Sequence, residues 1–208
     1  MIKNFKELRE RVKSSRPLVV SVAAAADTEL LLAVKAAVDD GFIQPVLTGD
    51  KEKIEDICRQ INLVPAEILG AETETEAVER AVREVHNGNA QVLMKGLVNT
   101  SIYMRGILNR EWGLRTGRLL SMMAAYEAPG YHKLLFCSDS GINVAPGLEQ
   151  KKDILKNLLY AVENMGIHTP KVAVLTANEM VDPKVPSTMD AAGLVEAVKT
   201  EDGFLPCI

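Results

Sequence analysis

Apolar residues along this chain switch repeatedly between a near-continuous run and a helical spacing, which predicts strands and helices in alternation. Leu18-Val19-Val20-Ser21-Val22 has the apolar, β-branched character of a buried strand. Asp27 follows as the cap of a predicted helix with Leu30, Val34, Ala37 and Val38 on its inner face and Gly41 at its end. The same grammar returns at once. Residues 44–48 read as a strand, Asp50 as a cap, and Ile54, Ile57, Cys58 and Ile61 as an i, i+3, i+4, i+7 stripe. Residues 67–69 form a third predicted strand, Ala77, Val78, Ala81, Val82 and Val85 a helical stripe ending at Gly88, and residues 91–95 a fourth strand.

Further along, residues 134–138 read as a strand, and Leu155, Leu158, Leu159, Val162 and Met165 as a helix face closed by Gly166. Residues 171–176 read as another strand. Ser187, with Asp190 three residues on, opens a last helix with Ala191, Leu194, Val195 and Val198 inward. Parallel neighbours need long crossovers, so this succession implies the α/β class, with mostly parallel sheets and helices on both faces. Helical periodicity is weakest over residues 113–131, where Gly113, Gly117, Pro129 and Gly130 punctuate the chain. A boundary there gives two α/β domains, residues 1–118 and residues 119–208.

With 208 residues, 47% hydrophobic and 25% charged, the chain has the composition of a globular protein with a sizeable core. A formal net charge of -4 offers no diffuse attraction to a phosphate backbone, which argues against nucleic acid as a partner. Cys58, Cys137 and Cys207 contain no CxxC and indicate neither a disulfide framework nor a metal site. Cys58 on an apolar stripe and Cys137 within a strand read as packing residues. The amino terminus has no apolar signal-like core, and no apolar run reaches the ~18 residues of a membrane span. A cytoplasmic protein without membrane contact is expected.

Candidate chemistry begins at KGLVNTSIYMR, residues 95–105, which follows the fourth strand and opens a helix. Ligands of open parallel sheets bind beyond the carboxyl ends of strands, where helix amino termini present free N–H groups to anions. Gly96 permits a close backbone approach, Asn99, Thr100 and Ser101 supply side-chain donors, and Lys95 and Arg105 supply charge. Lys95, Arg105, Arg110, Arg115 and Arg118 are opposed between residues 95 and 118 only by Glu111, a basic patch suited to phosphate or a nucleotide. Asn99 or Thr100 is equally the residue type of a plain helix cap, and arginines on a helix face are ordinarily solvated.

A second segment, SDSGINVAPGLEQ (residues 138–150), lies again between strand and helix, with Asp139 and Asn143 available to orient a ligand in the same cleft. Asp-Ser-Gly and Ala-Pro-Gly are also ordinary turn chemistry. His86 near a helix carboxyl end complements the dipole, and Glu72, Glu74, Glu76 and Glu79 read as a solvated helix start. His132 and His168 have no partners at a catalytic spacing. No GxSxG, Walker loop or GxGxxG occurs, so a serine hydrolase, an NTPase and a dinucleotide dehydrogenase lack a fingerprint.

Three longer strings, LMKGLVNTSIYMRGILNREWGLRTGRLLS, SDSGINVAPGLEQKKDI and VAVLTANEMVDPKVPSTMDAAGLVEAV, resemble phosphate butyryltransferases, a branch of the phosphate acyltransferase family that includes phosphate acetyltransferases. The likeness runs in order to about Lys199. It implies transfer of a short acyl group, butyryl-like, between CoA and inorganic phosphate, giving acyl phosphate and free CoA. It further implies a two-domain architecture shared with isocitrate and isopropylmalate dehydrogenases and a site in the interdomain cleft. CoA and acyl-CoA would be substrates, with no metal and no tightly bound cofactor, and the protein would be a homo-oligomer.

Under this resemblance the Lys95–Arg105 segment is the phosphate and acyl-phosphate binding turn, with Thr100, Ser101 and Arg105 foremost; Lys95, Asn99 and, from the residue reading above, Asp139 and Asn143 complete the expected phosphate and substrate set. Arg105 and Lys95 would neutralise phosphate, and donors from Asn99, Thr100 and Ser101 would meet the tetrahedral oxyanion. The proteins this chain resembles continue beyond the helix near Val198, and the related acetyltransferases carry a catalytic Ser-Arg pair and a nearby Asp in that later segment. Nothing in residues 201–208 matches them, so the catalytic residues are expected outside this chain and the fold is expected to be incomplete at its carboxyl end. Phe204, Leu205, Cys207 and Ile208 resemble the opening of a buried strand. The alternative reading is a non-catalytic phosphate- or CoA-binding or assembly subunit that retains the shortened fold; a dehydrogenase of similar architecture is a weaker one.

Overall fold

Four strands, β1 (Leu18–Ala23), β2 (Ile43–Gly49), β3 (Glu67–Gly70) and β4 (Val92–Lys95), form a wholly parallel sheet in the order β3-β2-β1-β4. The computed structural model describes residues 2–13 and 16–207, and the chain divides into two compact units, one of them Arg9–Thr116. Helix α1 (Phe5–Lys13) precedes β1, with its residues from Arg9 on belonging to this unit, and α2 (Thr28–Asp39), α3 (Lys51–Ile61) and α4 (Glu74–His86) make the crossovers. A fifth helix, α5 (Thr100–Ile107), follows β4.

Local chemistry sets the helix starts. The side chains of Asp27, Asp50 and Thr73 accept from the backbone N–H of Leu30, Lys53 and Glu76, which satisfies donors that have no partner within the helix. Helix α3 ends on Asn62 at φ 55, the left-handed conformation that asparagine tolerates. Burial then assigns the faces. Leu31, Val34, Ile54 and Ile57 pack with Val20, Val22 and Leu47 on one side, while Val78, Ala81 and Val82 of α4 pack with Ala23 on the other. Leu31 is fully buried where the stripe placed Leu30, which is half-buried. The buried Thr48 hydroxyl donates to the Ala77 carbonyl at 2.7 Å and ties α4 to the sheet.

The other unit comprises Met1–Leu8 and Gly117–Ile208. Its early residues are held by the Phe5 N–H, which donates to Glu127 Oε2 at 2.7 Å. Two short strands, β5 (Ala124–Tyr126) and β6 (Leu135–Cys137), pair antiparallel, in contrast to the parallel pattern of the first sheet. Helices α6 (Leu148–Asn164) and α7 (Pro186–Thr200) pack through Leu155, Leu159 and Leu194. Two lysine pairs reinforce the contact: Lys151 with Asp190 at 2.5 Å and Lys152 with Glu201 at 2.6 Å.

Several expectations fail in this unit. Residues 171–176 form no strand, because among the described residues no neighbouring strand hydrogen-bonds to them, and Leu175 is 89% exposed. Ser187 does not cap α7. Pro186 occupies the first turn, where a missing N–H costs nothing, and the helix therefore starts before Ser187. That phase brings Thr188, Leu194 and Ala197 inside and leaves Val195 exposed. Cys137 is exposed as well, so its packing role is not realised. Phe204, Leu205 and Cys207 form no strand but are half-buried against the α6–α7 core, with Lys156 Nζ 4.5 Å from the Phe204 ring centroid. Ile208, read with them, lies outside the described residues.

Candidate functional site

The chain runs outward from β1 to β2 to β3, then returns to place β4 on the opposite side of β1. The order therefore reverses between β1 and β4, and in open α/β sheets the crevice beyond the strand ends at such a reversal is where ligands bind. Ala23 and Lys95 are register partners at that end. Immediately beyond them the Gly96 N–H donates to the Ala23 carbonyl at 2.8 Å and the Leu97 N–H to the Ala24 carbonyl at 3.1 Å. A Cβ on Gly96 would stand 2.4 Å from both carbonyl oxygens. The close approach expected of Gly96 is thus made to the protein's own β1–α2 turn, which it locks in place.

Helix α5 starts from Asn99, whose Oδ1 accepts from the Ser101 N–H at 2.9 Å and the Ser101 hydroxyl at 2.8 Å. The plain cap is therefore realised in Asn99, and Ser101 is committed to it. Lys95 Nζ folds back to donate to the Val98 carbonyl at 2.6 Å, which closes the turn. The Thr100 hydroxyl and the guanidinium groups of Arg105, Arg110 and Arg115 make no hydrogen bond or ion pair among the described residues. By contrast, Arg80 and Arg83 on α4 are engaged with Glu76 and Glu79. Arg105 in the last turn of α5 and Arg110 and Arg115 in the loop after it are exposed and unpaired, and so keep their full donor set for an anion from solution.

Glu74 Oε2 comes within 3.5 Å of the Asn99 N–H and so brings negative charge to the same helix start. Sequence reading placed Glu74 on a solvated helix start; its approach to Asn99 is tertiary and leaves no local signal. Tyr103, also on α5, has its phenol pushed up to about 12 by burial and is unsuited to serve as a base near neutrality.

The second segment is bonded within itself and to residues 120 and 122. Asp139 Oδ1 accepts from the N–H groups of Gly141 and Ile142, each at 3.0 Å, while Oδ2 accepts from Asn143 Nδ2 at 2.6 Å. Asn143 Nδ2 also donates to the Leu120 carbonyl at 3.0 Å. Burial raises the Asp139 carboxyl, but the hydrogen bonds from Gly141, Ile142, Asn143 and the Met122 backbone outweigh it and hold the group below the ordinary aspartate value.

A pKa lowered on folding means stability that is complete above the unfolded value and lost as pH falls through the folded one. The difference in melting midpoint between the parent and Asp139→Asn is therefore expected to be widest near pH ~7 and to close below pH ~4. Melting curves across that range test this; a constant difference would mean that the charge of Asp139 is not what stabilises the loop.

His86 Nδ1 lies 3.0 Å from the Gly113 carbonyl oxygen, a structural contact at the end of α4. Burial raises the Cys58 thiol, consistent with packing. Among the described residues no helix is long and apolar enough to cross a membrane, and no group of three or more His, Cys, Asp and Glu side chains is placed to hold a metal.

Residues 71–206, which include the whole α4–β4–α5 region, match the family described as phosphate acetyl/butaryl transferase. The chain belongs to this family. It is 40% identical over 196 residues to a phosphate butyryltransferase of Clostridium acetobutylicum, an alignment covering 93% of this chain and 65% of that protein. It is 39% identical over 177 residues to a phosphate acetyltransferase of Thermotoga maritima, covering 83% of this chain and 59% of the relative. Among solved structures, a branched-chain phosphotransacylase from Enterococcus faecalis superposes with a TM-score of 0.78 at 26% identity, over 92% of this chain and 67% of that one. The chain thus spans somewhat less than two thirds of the length of these curated relatives.

Proposed function

We propose that this protein takes part in reversible acyl transfer between CoA and inorganic phosphate, with a short acyl group of butyryl type. The observation that carries the reading is the family match over residues 71–206, which includes β4, α5 and the exposed, unpaired arginines that follow them in the chain. Phosphate is the anion this arrangement suits, and a relative at 40% identity is named for the butyryl reaction.

In this reading a phosphate oxygen attacks the thioester carbonyl, and a tetrahedral oxyanion forms. Its collapse expels the CoA thiolate, which takes up the proton that phosphate brought. Arg105, with Lys95 behind it, offsets the charge of phosphate, and the Thr100 hydroxyl and the α5 amino terminus supply donors. Asn99 and Ser101 shape the turn through their mutual bond. Asp139 and Asn143 act by fixing the conformation of their own loop. Holding phosphate beside the thioester turns an encounter of two dilute solutes into an effectively intramolecular step. A cytoplasmic, self-associating enzyme using CoA and acyl-CoA as substrates, with no tightly bound cofactor, accompanies this reading.

The test is thiol release from butyryl-CoA with and without phosphate, with acetyl-CoA alongside. Release that depends on phosphate and is faster with butyryl-CoA is the result this reading requires, and it would bring within these residues the catalytic set expected outside them. CoA binding without phosphate-dependent release would instead favour a binding or assembly subunit.

A further inference from the structure

Helix α5 has only eight residues, too few to hold its own direction. Its direction is set by α4. Glu74, Val78, Val82 and His86 recur at four-residue spacing on α4, and this stripe meets the start of α5, its end and the loop behind it. Glu74 reaches Asn99 at the start of α5. Near its end, a Cβ on Gly106 would come within 2.4 Å of Val78 Cγ1 and 3.5 Å of Val82 Cγ2, so the two helices are in direct contact there.

Beyond α5 the loop is fastened a second time. The Arg83 guanidinium lies 5.1 Å from the centroid of the Trp112 ring, and His86 meets the next carbonyl, that of Gly113, at 3.0 Å. Asn109 Oδ1 accepts from the N–H groups of Glu111 and Trp112 at 2.8 and 3.1 Å and makes the loop rigid. Arg105, Arg110 and Arg115 are spaced along this fastened segment without partners of their own.

We propose that the Arg83–Trp112 stack, closed by His86 on Gly113, is a positioning device that holds α5 and its loop so that Arg105 stays directed to phosphate. This rests on the phosphate reading of the α5 turn. Arg83 touches no reacting atom in this account. It acts through Trp112, to which a planar, weakly hydrated guanidinium is suited. Because Arg83 is about half exposed and serves also in an ion pair with Glu79, the two roles can be separated by substitution.

Inorganic phosphate is titrated calorimetrically into the full chain and its R83A, R83K and E79Q variants, with the emission of Trp112, the single tryptophan, recorded for each. R83A is expected to shift that emission to the red and to weaken phosphate binding about three- to tenfold, while melting well above the titration temperature. R83K is expected to fall between R83A and the parent. E79Q keeps the stack and should bind phosphate as the parent does.

Equal phosphate affinity in R83A and parent would overturn the proposal, as would a loss in E79Q as large as in R83A, or an absence of phosphate binding in the parent. Thiol release separates this from the acyl-transfer reading. Phosphate-dependent release with R83A unaffected sinks the clasp alone, and the expected affinities without release sink the reaction alone.

Discussion

Arg105→Ala is expected to raise the phosphate concentration needed for half-maximal rate by about 10- to 100-fold, the worth of one or two charge-assisted hydrogen bonds. The side chain is exposed and unpaired among the described residues, so its removal opens no cavity and strands no charge. Stability should stay within about 0.5 kcal/mol of the parent. Saturation kinetics in phosphate, run beside a melting curve, give both quantities. An unchanged phosphate dependence in an active variant would take Arg105 out of the site.

Gly96→Ala is expected to act in the opposite way, through the fold. The new methyl group would meet two backbone carbonyl oxygens at 2.4 Å and the Leu30 side chain at 2.8 Å. Backbone atoms cannot swing aside as the end of a flexible side chain can. Relief requires breaking the Gly96–Ala23 and Leu97–Ala24 hydrogen bonds that join the ends of β4 and β1, at a cost of about 3 kcal/mol or more. For a unit of about this size that lowers the melting midpoint by on the order of 10 °C. Gly141→Ala serves as the control, because no atom lies within 4 Å of its Cβ position and its φ is not positive. Equal melting of the two variants would mean that the β1–β4 junction is not rigid.

The first unit was largely legible in the sequence because its signals are local. Strand runs, the caps Asp27 and Asp50 and the stripes of α3 and α4 each depend on neighbours within a few residues, and each appears in the structure. The second unit was harder to read for the converse reason. Ala124–Tyr126 is three residues long with little β-branched character, and residues 171–176 have a strand's composition without a strand beside them. Pairing is a property of two segments, and a pattern in one cannot supply the other. For α7, Pro186 outweighed the capping box suggested by Ser187.

At the site, residue types pointed correctly to a helix opening after β4, but not to what engages each donor. The sequence leaves Asn99 and Thr100 equal as caps; the hydrogen bonds to Asn99 decide between them. Neither the contact of Glu74 with Asn99 nor the stack of Arg83 on Trp112 has a signature shorter than 25 residues.

The position of β1 between β2 and β4 also has a consequence for the order of assembly during synthesis. Its pairing with β2 needs residues only to Leu47, whereas its other edge finds Val92 to Lys95 only after α4 has been made. A nascent chain that has emerged as far as Gln91 can hold three adjacent strands with one edge of β1 still open. The junction that leads into the α5 turn is thus the last part of this sheet to come into existence, and the ribosome exposes an unpaired β1 edge until it does.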